Sequence, residues 1–400
     1  MRILVFSELL YPRGGGAELA TWLYAKMLAE RGFEICIVTS KSSLNKKFFE
    51  ITGDQKIKIY EFPMKALTGT RYHTLANIGI IMSNLITKLI KWSDIIYVPG
   101  LWYSVIPFAK IHRKPVVVHL HNYFIVCPTS LMYDFMRRDI GSCSLKSFIL
   151  HEYIEKRKNV VPVIVSCTTN EFFGKHYSKL AKMADKLIFV SESQTRLALS
   201  KDPSLKDKSY IVYNPIPDIS LIKTEQKGIS YFGGKSFVKG FYVLLRALKA
   251  IKGGDLEVYL MKTSDIPKRL RMDNGVLLNL LPKVDPRSVM RETSTVVIPS
   301  LSPEPLPYAL VESMLYGKLI VASNVGGIPE IVGGSLAGVK LIEPWDFLAI
   351  ADAIDYFLSL DLESINEIGI KNREHIMKML NNERTLKLFI KVLCEALDSV

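Results

Sequence analysis

At 400 residues, the chain exceeds the size at which one hydrophobic core usually stops growing, so two domains are expected. Its 48% hydrophobic and 23% charged residues exclude a disordered chain, and five scattered cysteines without a CxxC pair argue against a zinc site or disulfide framework, leaving buried free thiols as the expectation. The formal charge of +13 is uneven: residues 1–220 hold 30 Lys plus Arg against 18 Asp plus Glu, a net of +12, and residues 221–400 hold 22 against 21, a net of +1, which points to an anionic partner for the first half.

Met1-Arg2 runs straight into Ile3 to Phe6, too short a run for a signal core and readable as a first strand. Further β-branched runs follow at Glu34 to Thr39, Lys56 to Phe62, Asp94 to Val98, Pro115 to Leu120 and Leu187 to Val190. Such runs, alternating with helical stretches, are those of a parallel sheet covered by helices on both faces. The most apolar helical stretch, Ile78 to Ile90, is interrupted by Ser83, Asn84, Thr87 and Lys88 and cannot span a bilayer. The expected location is therefore cytoplasmic. Ile78, Ile81, Met82, Leu85, Ile86 and Leu89 form an apolar stripe flanked by Lys88, Lys91 and Trp92. It reads as a membrane contact or, more readily, as a helix packed on its own sheet.

Between Cys127 and Asp185 the pattern predicts a helical insertion, with a charged segment Leu145 to Lys158 and an apolar run Val160 to Cys167. Asn214-Pro215-Ile216-Pro217-Asp218 is the linker candidate, because its prolines break both helix and strand pairing. The alternation restarts at Ile229 to Phe232, Glu257 to Met261, Val276 to Leu280, Thr295 to Pro299, Leu319 to Ala322 and Val339 to Ile342. The chain is helical again from about Pro344, and Leu386, Phe389, Ile390, Leu393 and Leu397 mark a last helix. The fold class is α/β, with two doubly wound Rossmann-like domains at 1–213 and 219–380.

In open α/β sheets ligands sit beyond the carboxyl ends of the strands, so those loops carry the candidate residues. Gly14-Gly15-Gly16-Ala17-Glu18 precedes the helix Leu19 to Glu30, where glycines admit a ligand to the backbone and free N–H groups can face an anion. It is not GxGxxG, and taken alone a plain turn accounts for it better. His119 and His121 share one face of a strand, so His121 at its end can lean toward a ligand. Gly233 and Gly234 open a turn before a helix at Phe241, and Lys239 stands where its charge and the positive helix end act together on phosphate, with Lys235 as a second cation or a solvated lysine.

The most informative string is Ser302-Pro303-Glu304-Pro305-Leu306-Pro307-Tyr308-Ala309-Leu310-Val311-Glu312. It sets one carboxylate in a loop and another in the following helix, with Pro307 suited to the first helical turn. Between them lie the N–H groups of a helix start. The set suits a nucleotide sugar: one acid for sugar hydroxyls, one for the ribose diol, and backbone plus lysine for the diphosphate. Composition alone reads them as a dipole-favoured acid and a surface glutamate.

The run PSLSPEPLPYALVESMLYGKLIVASNVGGIPEIV at 299–332 resembles the E-x7-E region of family 4 retaining glycosyltransferases. HNYFIVCP at 121–128, ADKLIFVSES at 184–193 and YFGGKSFVKG at 231–240 are similar to that family's segments in the same order. The resemblance implies a GT-B fold, with a C-terminal helix of about 381–400 crossing back onto the first domain. It implies His121, Glu304 and Lys239 as catalytic residues. The donor-binding set it implies is Gly15, Gly16, Gly233, Gly234, Lys235, Lys239, Leu306, Pro307, Tyr308, Ala309 and Glu312, with no metal and no cofactor beyond a UDP- or GDP-sugar substrate. Two positions depart from the pattern. Gly234 stands where the family carries Arg, with Lys235 one residue on, and Asn122 replaces the usual Asp beside His121.

The activity so implied is retaining transfer of a hexosyl group to an acceptor hydroxyl, and the charge asymmetry suggests a lipid-linked or other anionic glycan at the inner face of the cytoplasmic membrane. A nucleotide-sugar 2-epimerase and a non-catalytic nucleotide-sugar-binding module are the alternatives. Nucleic acid is not expected, because no basic helix or aromatic-interleaved basic stretch is present.

Overall fold

The computed structural model describes residues 1–40, 57–62, 83–156, 159–252 and 254–399. The chain divides into two compact units: Met1–Tyr153, Lys158–Pro215 and Asn381–Val400 form the first, and Ile154–Arg157 and Ile216–Leu380 the second.

The first unit is built on strands β1 (Arg2–Phe6), β2 (Glu34–Ser40), β3 (Ile57–Phe62), β4 (Ile95–Val98), β5 (Val116–Leu120), β8 (Lys186–Phe189) and β9 (Ser209–Ile211), in the order β3-β2-β1-β4-β5-β8-β9. Every pairing is parallel. β4 and β5 read IIYV and VVVHL and are buried at every position, as a sheet covered on both faces requires. A separate hairpin, β6 (Tyr133–Asp134) and β7 (Asp139–Ile140), lies in the insertion.

Helix α1 (Gly16–Glu30) follows β1, and α2 (Asn84–Trp92) precedes β4. Ile86 and Leu89 of the apolar stripe, with Ile90, are buried in the core with Phe6, Val98 and Ile106, whereas Leu85 of the stripe is exposed; Ile78, Ile81 and Met82 lie outside the described residues. Helix α3 (Val105–Ile111) follows β4, α4 (Leu145–Lys156) and α5 (Val160–Ala181) form the insertion, and α6 (Glu192–Lys201) follows β8. The predicted apolar run Val160 to Cys167 is thus the start of a 22-residue helix.

The second sheet comprises β10 (Ile229–Tyr231), β11 (Glu257–Met261), β12 (Lys268–Arg271), β13 (Leu277–Leu281), β14 (Thr295–Ile298), β15 (Leu319–Ser323) and β16 (Val339–Ile342), in the order β12-β13-β11-β10-β14-β15-β16. Only β12 runs antiparallel; as an edge strand reading KRLR, exposed throughout, it carried no apolar signal by which sequence could find it. Helices α7 (Phe241–Ala250), α8 (Pro286–Arg291), α9 (Tyr308–Leu315), α10 (Ile328–Val332), α11 (Phe347–Ser359) and α12 (Leu362–Met379) complete this unit. The last helix, α13 (Asn382–Leu397), belongs to the first unit, where Leu386, Phe389 and Leu393 join the core of Ile3, Val5 and Tyr24.

One expectation is corrected. Cys127 and Cys143 form a disulfide, with Cα atoms 5.8 Å apart, while Cys36, Cys167 and Cys394 are free and Cys394 is exposed. The β6–β7 hairpin doubles the chain back between the two cysteines, a proximity their sequence spacing does not encode.

Candidate active site

In the first unit the glycine loop is closed by its own helix. Gly14 adopts φ +88°, and the Gly15 N–H, expected to face an anion, donates to the Glu18 carboxylate at 2.6 Å. Gly16 is the first residue of α1. Glu8, in the same loop, was not singled out by sequence. Its carboxylate accepts the Leu101 N–H at 2.7 Å, beside Gly100, where any Cβ would collide with it. The Glu8 carbonyl accepts the Ser40 hydroxyl at 2.6 Å. Burial pushes this carboxyl up to about 7.

The two histidines at the end of β5 stack, with ring centroids 4.4 Å apart. His119 is fully buried and its Nδ1 meets the Tyr97 hydroxyl at 2.8 Å, so it is a core residue. Like that of His119, the His121 Nε2 is buried without a hydrogen-bond partner among the described residues; burial pushes the His121 pKa down to about 4, so it is a neutral imidazole at neutral pH. Asn122 accepts the Phe124 N–H at 2.9 Å and its carbonyl accepts Gln194 Nε2 at 2.9 Å. The residue at this departure from the family pattern holds the turn that follows His121.

The remaining predicted residues lie in the second unit, on the carboxyl ends of β10 and β14. Glu304 is buried, at 8% exposure. One carboxylate oxygen, Oε1, accepts both the Ser300 hydroxyl at 2.7 Å and the Lys239 ammonium at 2.5 Å. The lysine reaches it from the glycine loop after β10. That loop is pressed against the β14 end: Gly240, at φ +75°, has no room for a Cβ beside the Pro299 carbonyl, and the Leu301 N–H donates to the Val238 carbonyl at 2.8 Å. Gly233 leaves space for the Tyr231 hydroxyl, which donates to the Lys239 carbonyl at 3.3 Å.

Glu304 is fixed from the other side by the Gly326-Gly327 turn. The Gly327 N–H donates to the Glu304 carbonyl at 2.7 Å, and Gly326, at φ +58°, lies so close that a Cβ would come within 2.5 Å of the Glu304 nitrogen and nearer still to its carbonyl oxygen. Gly326 therefore acts by letting backbone approach backbone.

Pro307 caps α9, which begins one residue later than expected at Tyr308. The Pro307 carbonyl accepts the N–H groups of Leu310 and Val311, and Leu306 and Tyr308 are buried. The positive end of α9, at Tyr308 and Ala309, thus opens next to Glu304. Glu312 follows on that helix. Burial above all, then the Asp285 carboxylate, pushes its carboxyl up to about 7, while Lys262 opposes this.

Lys235 is exposed and makes no hydrogen bond or ion pair among the described residues. The anion-binding capacity of its loop lies instead in backbone and hydroxyl donors: the Phe237 N–H and the Ser236 hydroxyl, the latter at 3.0 Å, both donate to the carboxylate of Glu155, a residue of the Ile154–Arg157 stretch. No cluster of metal-ligating side chains is present among the described residues.

Residues 226–359 match the family model described as "Glycosyl transferases group 1". Across the whole length, a structure of Anabaena HepE in complex with UDP and glucose superposes with a TM-score of 0.67 at 18% identity, covering 98% of this chain and 99% of that one. The chain has the GT-B fold. Among sequence relatives, an uncharacterized 42.6 kDa protein in the cps region of Klebsiella pneumoniae is 23% identical over 83% of this chain and 87% of its own. A human phosphatidylinositol N-acetylglucosaminyltransferase component is 23% identical over 98% of this chain and 77% of its own. In this chain Glu304, Lys239, Glu312 and the α9 start follow the carboxyl ends of the central strands β10 and β14 in the second unit, and Gly15, Gly16 and His121 are in the first.

Proposed function

We propose that this protein is a glycosyltransferase that transfers a hexosyl group, with retention, from a nucleotide-diphosphate sugar to an acceptor hydroxyl. The observation that carries the reading is the buried Glu304 carboxylate, bridged to Lys239 and steadied by Ser300 at the opening of α9. Of its two oxygens, Oε1 takes both donors, and the carboxylate serves as acceptor for donor-sugar hydroxyls. Lys239 and the N–H groups at Tyr308 and Ala309 hold the diphosphate, and Glu312 accepts the ribose diol. The HepE structure with UDP and glucose supports such a donor.

In the transfer, the bond from the anomeric carbon to the diphosphate oxygen breaks as the acceptor oxygen attacks from the same face. The acceptor's proton passes to the departing phosphate oxygen, whose developing charge meets Lys239 and the helix start. No protein carboxylate becomes covalently bound. Turnover is expected without a divalent cation, since the positive charge comes from side chain and backbone.

On the acceptor side, the reading is a lipid-linked or otherwise anionic glycan at an anionic membrane surface. It rests on the +12 charge of residues 1–220 and on a row of exposed apolar side chains along α5, with Val161 70%, Val165 57% and Phe172 72% exposed. A human relative named for phosphatidylinositol is in keeping with it. Among the described residues no helix is long and apolar enough to cross a membrane.

The test is calorimetry with UDP and GDP together with product analysis in excess EDTA. Lys239→Ala should weaken diphosphate binding, Glu304→Ala should keep it while losing transfer, and the wild type should turn over in the chelator. Loss of diphosphate affinity in Glu304→Ala as severe as in Lys239→Ala, or activity restored only by Mg²⁺ or Mn²⁺, would reject the assignment. An isomerised sugar formed without acceptor would make the protein an epimerase instead.

A further inference from the structure

We propose that Lys262, from the loop after the neighbouring strand β11, supplies the second cation of the diphosphate site. The inference rests on the donor-site reading above and extends it to a residue outside the glycine loop.

The placement follows from the sheet. β10 and β11 run parallel with Tyr231 opposite Leu260, so two residues further on the chain Gly233 stands beside Lys262. The turn makes the approach closer. A Cβ on Gly234 would lie 3.4 Å from the Lys262 carbonyl oxygen and 3.5 Å from the Lys262 Cβ. The side chain of Lys262 therefore springs from the place where a side chain at 234 would begin. Gly234 is the position at which the glycine loop lacks a basic residue, and Lys235, its sequence neighbour, is exposed and unengaged. The glycine loop carries no side chain at the point where the next loop presents a cation.

The charge environment agrees with this placement. Partial desolvation lowers the Lys262 pKa, the ammonium groups of Lys283 and Lys239 lower it further, and the Glu312 carboxylate raises it. Lys262 thus feels both the lysine assigned to the diphosphate and the acid assigned to the ribose, as a group bridging the two ends of a nucleoside diphosphate must. The Lys262 ammonium is repelled by those of Lys283 and Lys239, a repulsion that a bound anion relieves. Lys262 also holds a left-handed backbone, φ +58°, an uncommon conformation for a long side chain.

The experiment is calorimetry on the full chain with UDP, GDP, uridine and guanosine, for the wild type and for Lys262→Met, Lys262→Gly, Lys262→Arg and Lys235→Ala. Glycine suits the left-handed backbone, so Lys262→Gly separates loss of charge from loss of fold. For whichever diphosphate the wild type binds, Lys262→Met and Lys262→Gly should bind it about ten- to a hundredfold more weakly, the span of one charge-assisted contact. Both should keep the wild-type affinity for the nucleoside. Lys262→Arg should retain most diphosphate affinity, and Lys235→Ala should match the wild type. Wild-type diphosphate affinity in Lys262→Gly, an equal loss for the nucleoside, or a larger loss in Lys235→Ala would overturn the proposal while leaving the donor site standing. A wild type that binds neither diphosphate would overturn the donor-site reading, and this inference with it.

Discussion

Gly326→Ala tests how the site is held. The wild-type turn presses Gly326 onto the Glu304 backbone, and an added Cβ would meet the Glu304 nitrogen at 2.5 Å and its carbonyl oxygen closer still. Both are backbone atoms, so no side chain can rotate away. Alanine at φ +58° costs about 1 kcal/mol for the left-handed conformation, and relieving an overpacked backbone contact adds about 1–3 kcal/mol, for a loss of about 2–4 kcal/mol. Gly334→Ala is the matched control: its φ is +112°, yet nothing lies within 4 Å of its added Cβ, so only the backbone cost applies. Urea midpoints should place Gly326→Ala well below Gly334→Ala. Sugar transfer should fall in Gly326→Ala even under conditions where it remains folded, because Glu304 must shift. Equal midpoints for the two variants, or full transfer activity in Gly326→Ala, would refute the argument that this glycine positions the carboxylate.

Two further outcomes are expected. Glu312→Gln should be stabilising at high pH only: with its carboxyl raised from 4.5 to about 7 in the folded protein, Glu312 is protonated in both states below about pH 4.5, and between there and pH 7 the unfolded chain ionises first, so wild-type stability falls relative to the variant. Above pH 7 the difference should level off at on the order of 1–2 kcal/mol, since the side chain is only partly buried; unfolding curves at the two ends of that range check it, and a pH-independent difference would contradict it. The full chain should pellet with anionic vesicles at low salt, detach as ionic strength rises and ignore neutral vesicles. Val161→Ser with Phe172→Ser should weaken pelleting, and unchanged pelleting would remove α5 from the contact.

The sheets were legible because their strands are short β-branched runs buried on both faces, as in VVVHL at β5. The exposed edge strand KRLR and the two-residue strands of the insertion carry no such periodicity. Within the site, Glu304, Lys239 and Glu312 stood out by their spacing around a helix start, and the structure brings Lys239 onto Glu304. Lys262 and Glu8 did not. Each stands just past a strand, where a search of strand ends could have found it, but its significance depends on the neighbouring loop: Gly234 for one, Gly100 and Leu101 for the other. The disulfide likewise depends on a hairpin between its cysteines. At the glycine loop the sequence favoured a plain turn, and the Gly15 N–H is taken by Glu18, three residues on.

The membership of α13 in the first unit bears on how the protein is made. Phe389 stacks on Tyr24 at 4.3 Å between ring centroids and meets Tyr97 edge-on at 5.1 Å, so a helix made more than 350 residues after Tyr24 fills the core around it. The second unit has all its strands and helices synthesised before that helix appears. During translation the later domain can therefore close while the earlier one still waits with an open apolar face, and a nascent chain arrested short of Asn381 would present that face to chaperones. For the same reason residues 1–213 expressed alone would be an unfinished core, which is why the vesicle experiment calls for the whole chain.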